Sequence, residues 1–67
     1  MLVMKMTDVE KIILADGWFP VYKSGDHSYY KHPIKTGKVT IPHRKDLCGY
    51  LLKSIFKQAG IDIKEYL

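Results

Sequence analysis

From Trp18 to His43 the chain is dense in aromatic and β-branched residues, and two stretches of turn composition, Ser24-Gly25 and Lys35-Thr36-Gly37, cut it into short pieces. Three short antiparallel strands fit this stretch: Phe19 to Lys23, His27 to His32 and Lys38 to Pro42. Pro20 and Pro33 lack a backbone donor and so belong at an edge or an end of strand. The flanks change period. Thr7-Asp8-Val9-Glu10 has the Thr-x-x-Glu spacing of a capping box, Val9, Ile12 and Ile13 line one helical face, and Gly17 offers a left-handed stop. A first helix is expected over about residues 8 to 16. Leu51, Leu52, Ile55, Phe56 and Ala59 return to helical spacing before Gly60, and Asp62 can cap a last short turn from Ile63 to Leu67.

The expected fold is therefore α+β, in the order helix, three strands, helix and short tail, with both helices on one face of the sheet and the other face open. Strand parity puts His27, Tyr29 and Lys31 on one face of the middle strand and Ser28, Tyr30 and His32 on the other. Lys31 assigns the His27 face to solvent. Trp18, beside Gly17, is expected in the core.

With 67 residues, 46% of them hydrophobic and 27% charged, the chain has room for one folded domain, taken as residues 1–67. The lone Cys48 makes no internal disulfide and is expected to act as a small buried hydrophobe, with Asp46 nearby also structural. An unstapled core points to a reducing compartment, so the cytoplasm is the expected location. The apolar opening, Met1 to Met6, is too short for a signal peptide's core, and no run reaches membrane-spanning length.

The net charge of +4 is concentrated: residues 23–45 hold Lys23, Lys31, Lys35, Lys38, Arg44 and Lys45 against Asp26 alone. Such a stripe suits a phosphate backbone or another acidic partner, and equally a solvated basic surface. Three histidines and one cysteine lack the close spacing of a zinc knuckle, so neither metal nor small-molecule cofactor is expected.

Five stretches, Asp16-Gly17-Trp18, Gly25-Asp26-His27, His32-Pro33, Val39-Thr40-Ile41-Pro42-His43 and Ser54-Ile55-Phe56-Lys57-Gln58-Ala59-Gly60, occur in an order and at intervals that resemble the HicA toxin family. Each is weak alone, and specific as a set. The resemblance implies a fold like that of double-stranded RNA-binding domains, cleavage of mRNA, and a HicB-type antitoxin as partner. It also assigns the catalytic role to His27, which stands where the family's Gly-Ser-His motif ends. Two departures are visible: Asp26 replaces the motif's serine, and Tyr50 follows Gly49 where the family tends to have threonine, which predicts a weaker cap on the second helix.

Metal-independent RNA cleavage needs a group to take the 2'-hydroxyl proton, positive charge at the phosphate and a proton for the leaving 5'-oxygen. On this reading His27 is the general base, Lys31 and Lys23 hold the phosphate, and the second proton carrier is left open. His43 is preferred to His32 as a candidate and is counted with the RNA-binding residues, while for both a plain surface role at a strand end is favoured. Lys38, Arg44 and Lys45 extend the RNA-binding surface, and Tyr29 is the preferred base-stacking residue among Trp18, Tyr22, Tyr29 and Tyr30. The competing readings are a non-catalytic RNA-binding module of the same fold and a dead toxin kept as its antitoxin's partner. The first is disfavoured because the second helix opens Gly49-Tyr50-Leu51-Leu52, with only Lys53 near its start.

Overall fold

The first helix begins earlier than its Thr-x-x-Glu signal. In the computed structural model, which describes residues 2–66, a short strand β1 (Val3–Lys5) runs directly into α1 (Met6–Ala15). Lys5 is the N-cap residue without a side-chain cap, and the Met6 N–H donates to the carbonyl of Lys45 at 3.1 Å. Thr7 is already inside the helix, so the expected capping box does not form. The backbone of the segment after the sheet supplies an acceptor instead.

The central strands fall within a residue of expectation: β2 (Phe19–Ser24), β3 (His27–Lys31) and β4 (Val39–Pro42), antiparallel in the order β2-β3-β4. Gly25 and Asp26 form the β2–β3 turn, one residue later than expected. Gly25 has φ +58° at its first central position, which matches the Gly-first two-residue hairpin loop. After β4 comes β5 (Asp46–Cys48), which pairs antiparallel with β1, and then α2 (Gly49–Ala59) and a single 3-10 turn (Ile63–Tyr66). The β1–β5 ribbon was not expected: three residues a side are too few to show alternation, and only Leu47 in it is buried. Asp62 caps the last turn through a 3.0 Å bond from the Lys64 N–H to its carboxylate. Leu67, the expected end of that turn, lies outside the described residues, as does Met1.

This is an α+β fold of the double-stranded-RNA-binding-domain type, with the β1–β5 ribbon added to its α-β-β-β-α core. Val9 and Ile13 from α1, and Leu52, Ile55, Phe56 and Ala59 from α2, pack with Trp18 on Tyr30, Val39 and Ile41 of the sheet. Both helices therefore cover the Tyr30 face. The N-cap residue of α2 is Cys48, which makes no side-chain cap, and Tyr50, the position of the expected threonine, lies one residue inside the helix start rather than at the cap. Cys48 itself is exposed, against expectation, because only Leu47 of its strand points inward.

The sheet's edges are blunted. On β4 the outward N–H of Thr40 donates to the Gln58 side chain of α2 at 3.0 Å. On β2, Pro20 offers no donor and the pairing slips between Pro20 and Tyr22.

The ends of α1, β3 and α2 meet at one junction. The His32 Nδ1 accepts from the N–H groups of Ile34 and Lys35, each at 3.0 Å, so the ring proton is on Nε2, which donates to the Asp16 carbonyl at 2.7 Å. The same ring stands edge-on to Trp18, with centroids 5.2 Å apart, while the Trp18 indole N–H donates to the Ala59 carbonyl at 3.2 Å. Lys35 Nζ joins Asp16 Oδ2 at 2.6 Å and the carbonyls of Ala59 at 3.0 Å and Gly60 at 3.3 Å, a cation at the negative end of α2. Gly17, with φ +106°, passes so close that an added Cβ would stand 2.7 Å from His32 Nε2. Lys35 is thus taken out of the basic stripe.

Replacing His32 with alanine removes the protein partner of two backbone N–H groups and one carbonyl, together with the ring's edge contact on Trp18. His32→Ala and Gly17→Ala should each lower the unfolding free energy by about 2–3 kcal/mol in urea titrations, whereas His27→Ala should change it by less than about 0.5 kcal/mol.

Candidate nucleic-acid interface

Directly opposed residues of an antiparallel pair share a face, so the register sorts the expected site residues. His27 lies opposite Ser24 and Pro42, Tyr29 opposite Tyr22 and Thr40, and Lys31 opposite Phe19. These make up the open face, and His27 and Lys31 are exposed on it as expected. Alternate residues of a strand stand roughly 7 Å apart, which places the imidazole and the Lys31 amine on either side of Tyr29.

Tyr29 is half-buried, because Tyr22 from β2 stacks on it at 4.5 Å between centroids and 16° between planes. Lys38 Nζ, from the approach to β4, stands 5.1 Å from the Tyr29 ring centre. The ring preferred from sequence is flanked by these two neighbours, and the more exposed platform is Tyr22, 56% exposed. Its partner across the strands was the missing information. Trp18 and Tyr30, at 2% exposure each, belong to the core.

The register also separates two expected site residues from His27. Lys23 lies opposite Ser28, on the face that carries the helices. His43 follows β4; its N–H donates to the Asp26 carbonyl at 2.6 Å, and its Nε2 lies 2.5 Å from Ser28 Oγ. Neither Lys23 nor His43 shares the face of His27, so the expected grouping of all three about one phosphate is corrected. A Gly-Asp hairpin loop makes Ser24 and His27 partners and therefore Lys23 and Ser28 partners. Reading the turn one residue later in the sequence would have revealed this.

Behind the hairpin an open cleft of about 760 Å³ lies between α1 and β2, with Glu10, Lys23, Ser28, Tyr30, His43 and Arg44 on its walls. The Tyr30 hydroxyl donates to Glu10 Oε2 at 2.5 Å. Burial, then this bond to a carboxylate, raises the Tyr30 pKa well above the ordinary 10.0. In the sequence Glu10 stands out only as a capping-box residue and Ser28 only by its strand parity, so neither signals a place in this cleft. Arg44 and Lys45 are exposed beyond β4. Among the described residues no group of three or more histidine, cysteine or acidic side chains is placed to hold a metal ion, and no helix is long and apolar enough to cross a membrane.

Because the folded protein holds the Tyr30 proton more tightly than the unfolded chain, the stability from this group is complete below pH 10 and declines as pH rises beyond it. Tyr30→Phe should cost about 1 kcal/mol at neutral pH. Above pH 10 its stability should fall less steeply than that of the wild type, as followed by denaturant titrations across pH.

Residues 6–61 match a family described as HicA toxin of bacterial toxin-antitoxin. No curated protein matches the chain.

Proposed function

Since the chain belongs to the HicA toxin family, the toxins of bacterial toxin-antitoxin pairs, we propose that it acts as an endoribonuclease on mRNA, with His27 as general base. The observation that carries this reading is the open sheet face: an exposed imidazole beside a stacked tyrosine pair, with Lys31 on the same strand and Lys38 over the pair. A basic, aromatic surface of this kind receives single-stranded RNA by stacking unpaired bases and pairing phosphates with lysine.

In the proposed reaction His27 removes the 2'-hydroxyl proton. The 2'-oxygen bonds to phosphorus, the bond to the 5'-oxygen breaks, and the product carries a 2',3'-cyclic phosphate. Lys31 and Lys38 stabilise the charge on the non-bridging oxygens. His32 is committed to the backbone junction and His43 to the opposite face. The leaving oxygen therefore takes its proton from water. Tyr22, backed by Tyr29, positions the base next to the scissile bond, and Lys45 adds charge at the border of this surface. A HicB-type antitoxin with acidic groups would cover the same face, since one contact then both blocks His27 and neutralises the lysines. The cytoplasm, where mRNA is found, is the working location of such an enzyme.

Induced expression of the wild type should arrest growth and fragment mRNA. His27→Ala should lose at least about a hundredfold in cleavage rate while keeping its circular dichroism spectrum and binding RNA. Equal behaviour of the two proteins would remove His27 from the chemistry and favour a binding module. In the His27→Ala background, Tyr22→Ala should weaken binding of a short single-stranded RNA by about 1–3 kcal/mol, and Tyr22→Phe should leave it unchanged in fluorescence anisotropy.

A further inference from the structure

The cleft behind the β2–β3 hairpin is not used by His27. It carries its own polar network: Tyr30 donates to Glu10, and Ser28, one rung from the turn, meets His43. Lys23 and Arg44 bring two cations to the same cleft, and Met6, Pro20 and Val21 give it an apolar wall. From this combination we infer that the cleft is a second RNA subsite, holding one nucleotide of the strand that His27 cuts.

Each part of a nucleotide has a counterpart here. Lys23 and Arg44 match the phosphate, and the guanidinium presents a planar pair of donors to its oxygens. The apolar wall takes the face of a base. Tyr30 uses one acceptor position of the Glu10 carboxylate, which has further lone pairs for a base's exocyclic amine. A carboxylate beside two cations is poorly suited to a bare anion and well suited to a ligand that is anionic at one end and a hydrogen-bond donor at the other.

The placement also fits a continuous strand. Ser24 and His27 form the last pair before the turn, and Lys23 and Ser28 the next, so the two sites lie one rung apart on opposite faces of a single hairpin. RNA leaving His27 passes over the Gly25-Asp26 tip and reaches Lys23. This deepens the nuclease reading and rests on it. The subsite binds a nucleotide adjoining the scissile bond and takes no part in the proton transfers.

The test uses the full-length His27→Ala protein, titrated with adenosine 5'-monophosphate and separately with inorganic phosphate, and followed by amide resonances. Adenosine monophosphate should shift Glu10, Ser28, Tyr30 and Arg44 more than His27, Tyr29 and Lys31, and phosphate alone should leave Met6 and Val21 unmoved. Arg44→Ala, a change at an exposed position, should weaken adenosine monophosphate binding at least fivefold. In the otherwise wild-type enzyme it should raise KM for RNA with little change in kcat. Cleft resonances that stay still with the nucleotide, that move equally with phosphate alone, or that respond only to an acidic partner protein would each overturn the subsite. His27-dependent cleavage would survive any of these results. Loss of His27 dependence with the nucleotide still seated would instead remove the nuclease and leave a nucleotide-binding cleft.

Discussion

A neutral imidazole held at three points organises the molecule. His32 accepts two backbone N–H groups on one nitrogen and donates to the end of α1 with the other, while its ring edge rests against Trp18. Trp18 in turn reaches the last carbonyls of α2, where Lys35 also binds. The junction therefore joins the ends of both helices to the end of β3. It fixes the end of α1, the Trp18 indole and the end of α2 in position relative to the end of β3, while the apolar packing on Tyr30, Val39 and Ile41 decides which face the helices cover. The junction's polar side-chain groups, on His32, Asp16, Lys35 and the Trp18 indole nitrogen, are hydrogen-bonded, which suits a protein with no disulfide and too few residues for a large core. The glycine at its centre is required by space, because the backbone and the ring pass too closely for a side chain.

The sheet is one layer thick, and both of its sides carry polar and titratable side chains near the hairpin. Alternation along β3 separates His27 from Ser28, and the antiparallel register carries that division to Lys23 and His43. Total charge therefore overstates what any one ligand can meet. Of the six cations between residues 23 and 45, Lys31 and Lys38 serve the open face, Lys23 and Arg44 the cleft, and Lys35 the junction, while Lys45 lends its carbonyl to α1.

Much of this was legible from residues alone, for reasons that can be named. The strands are bracketed by turn residues, and the faces of α1 and α2 follow from apolar spacing, so those elements appear within a residue or two at most ends. The open side of β3 followed from Lys31, because a lone lysine amine is costly to bury. The remainder depended on long-range geometry. Thr7 and Glu10 carry a genuine capping pattern, but β1 feeds the helix before the pattern can act, and Glu10 turns to Tyr30 instead. β1 and β5 are visible only once they pair. Lys23 and His43 were grouped with His27 by charge and chemistry, and the hairpin register separates them.

The contacts that close this fold join parts of the chain made far apart in time. β1 pairs with β5, the first N–H of α1 waits for the carbonyl of Lys45, and Trp18 waits for Ala59, 41 residues further on. A chain emerging from the ribosome can form local hairpin and helix structure, yet it cannot close the junction until the end of α2 has emerged. A message broken before that point yields fragments without the finished fold. Residues 1–58 alone therefore cannot complete the structure, because the polar contacts that tie α1 and β3 to α2 exist only once Ala59 and Gly60 are within reach.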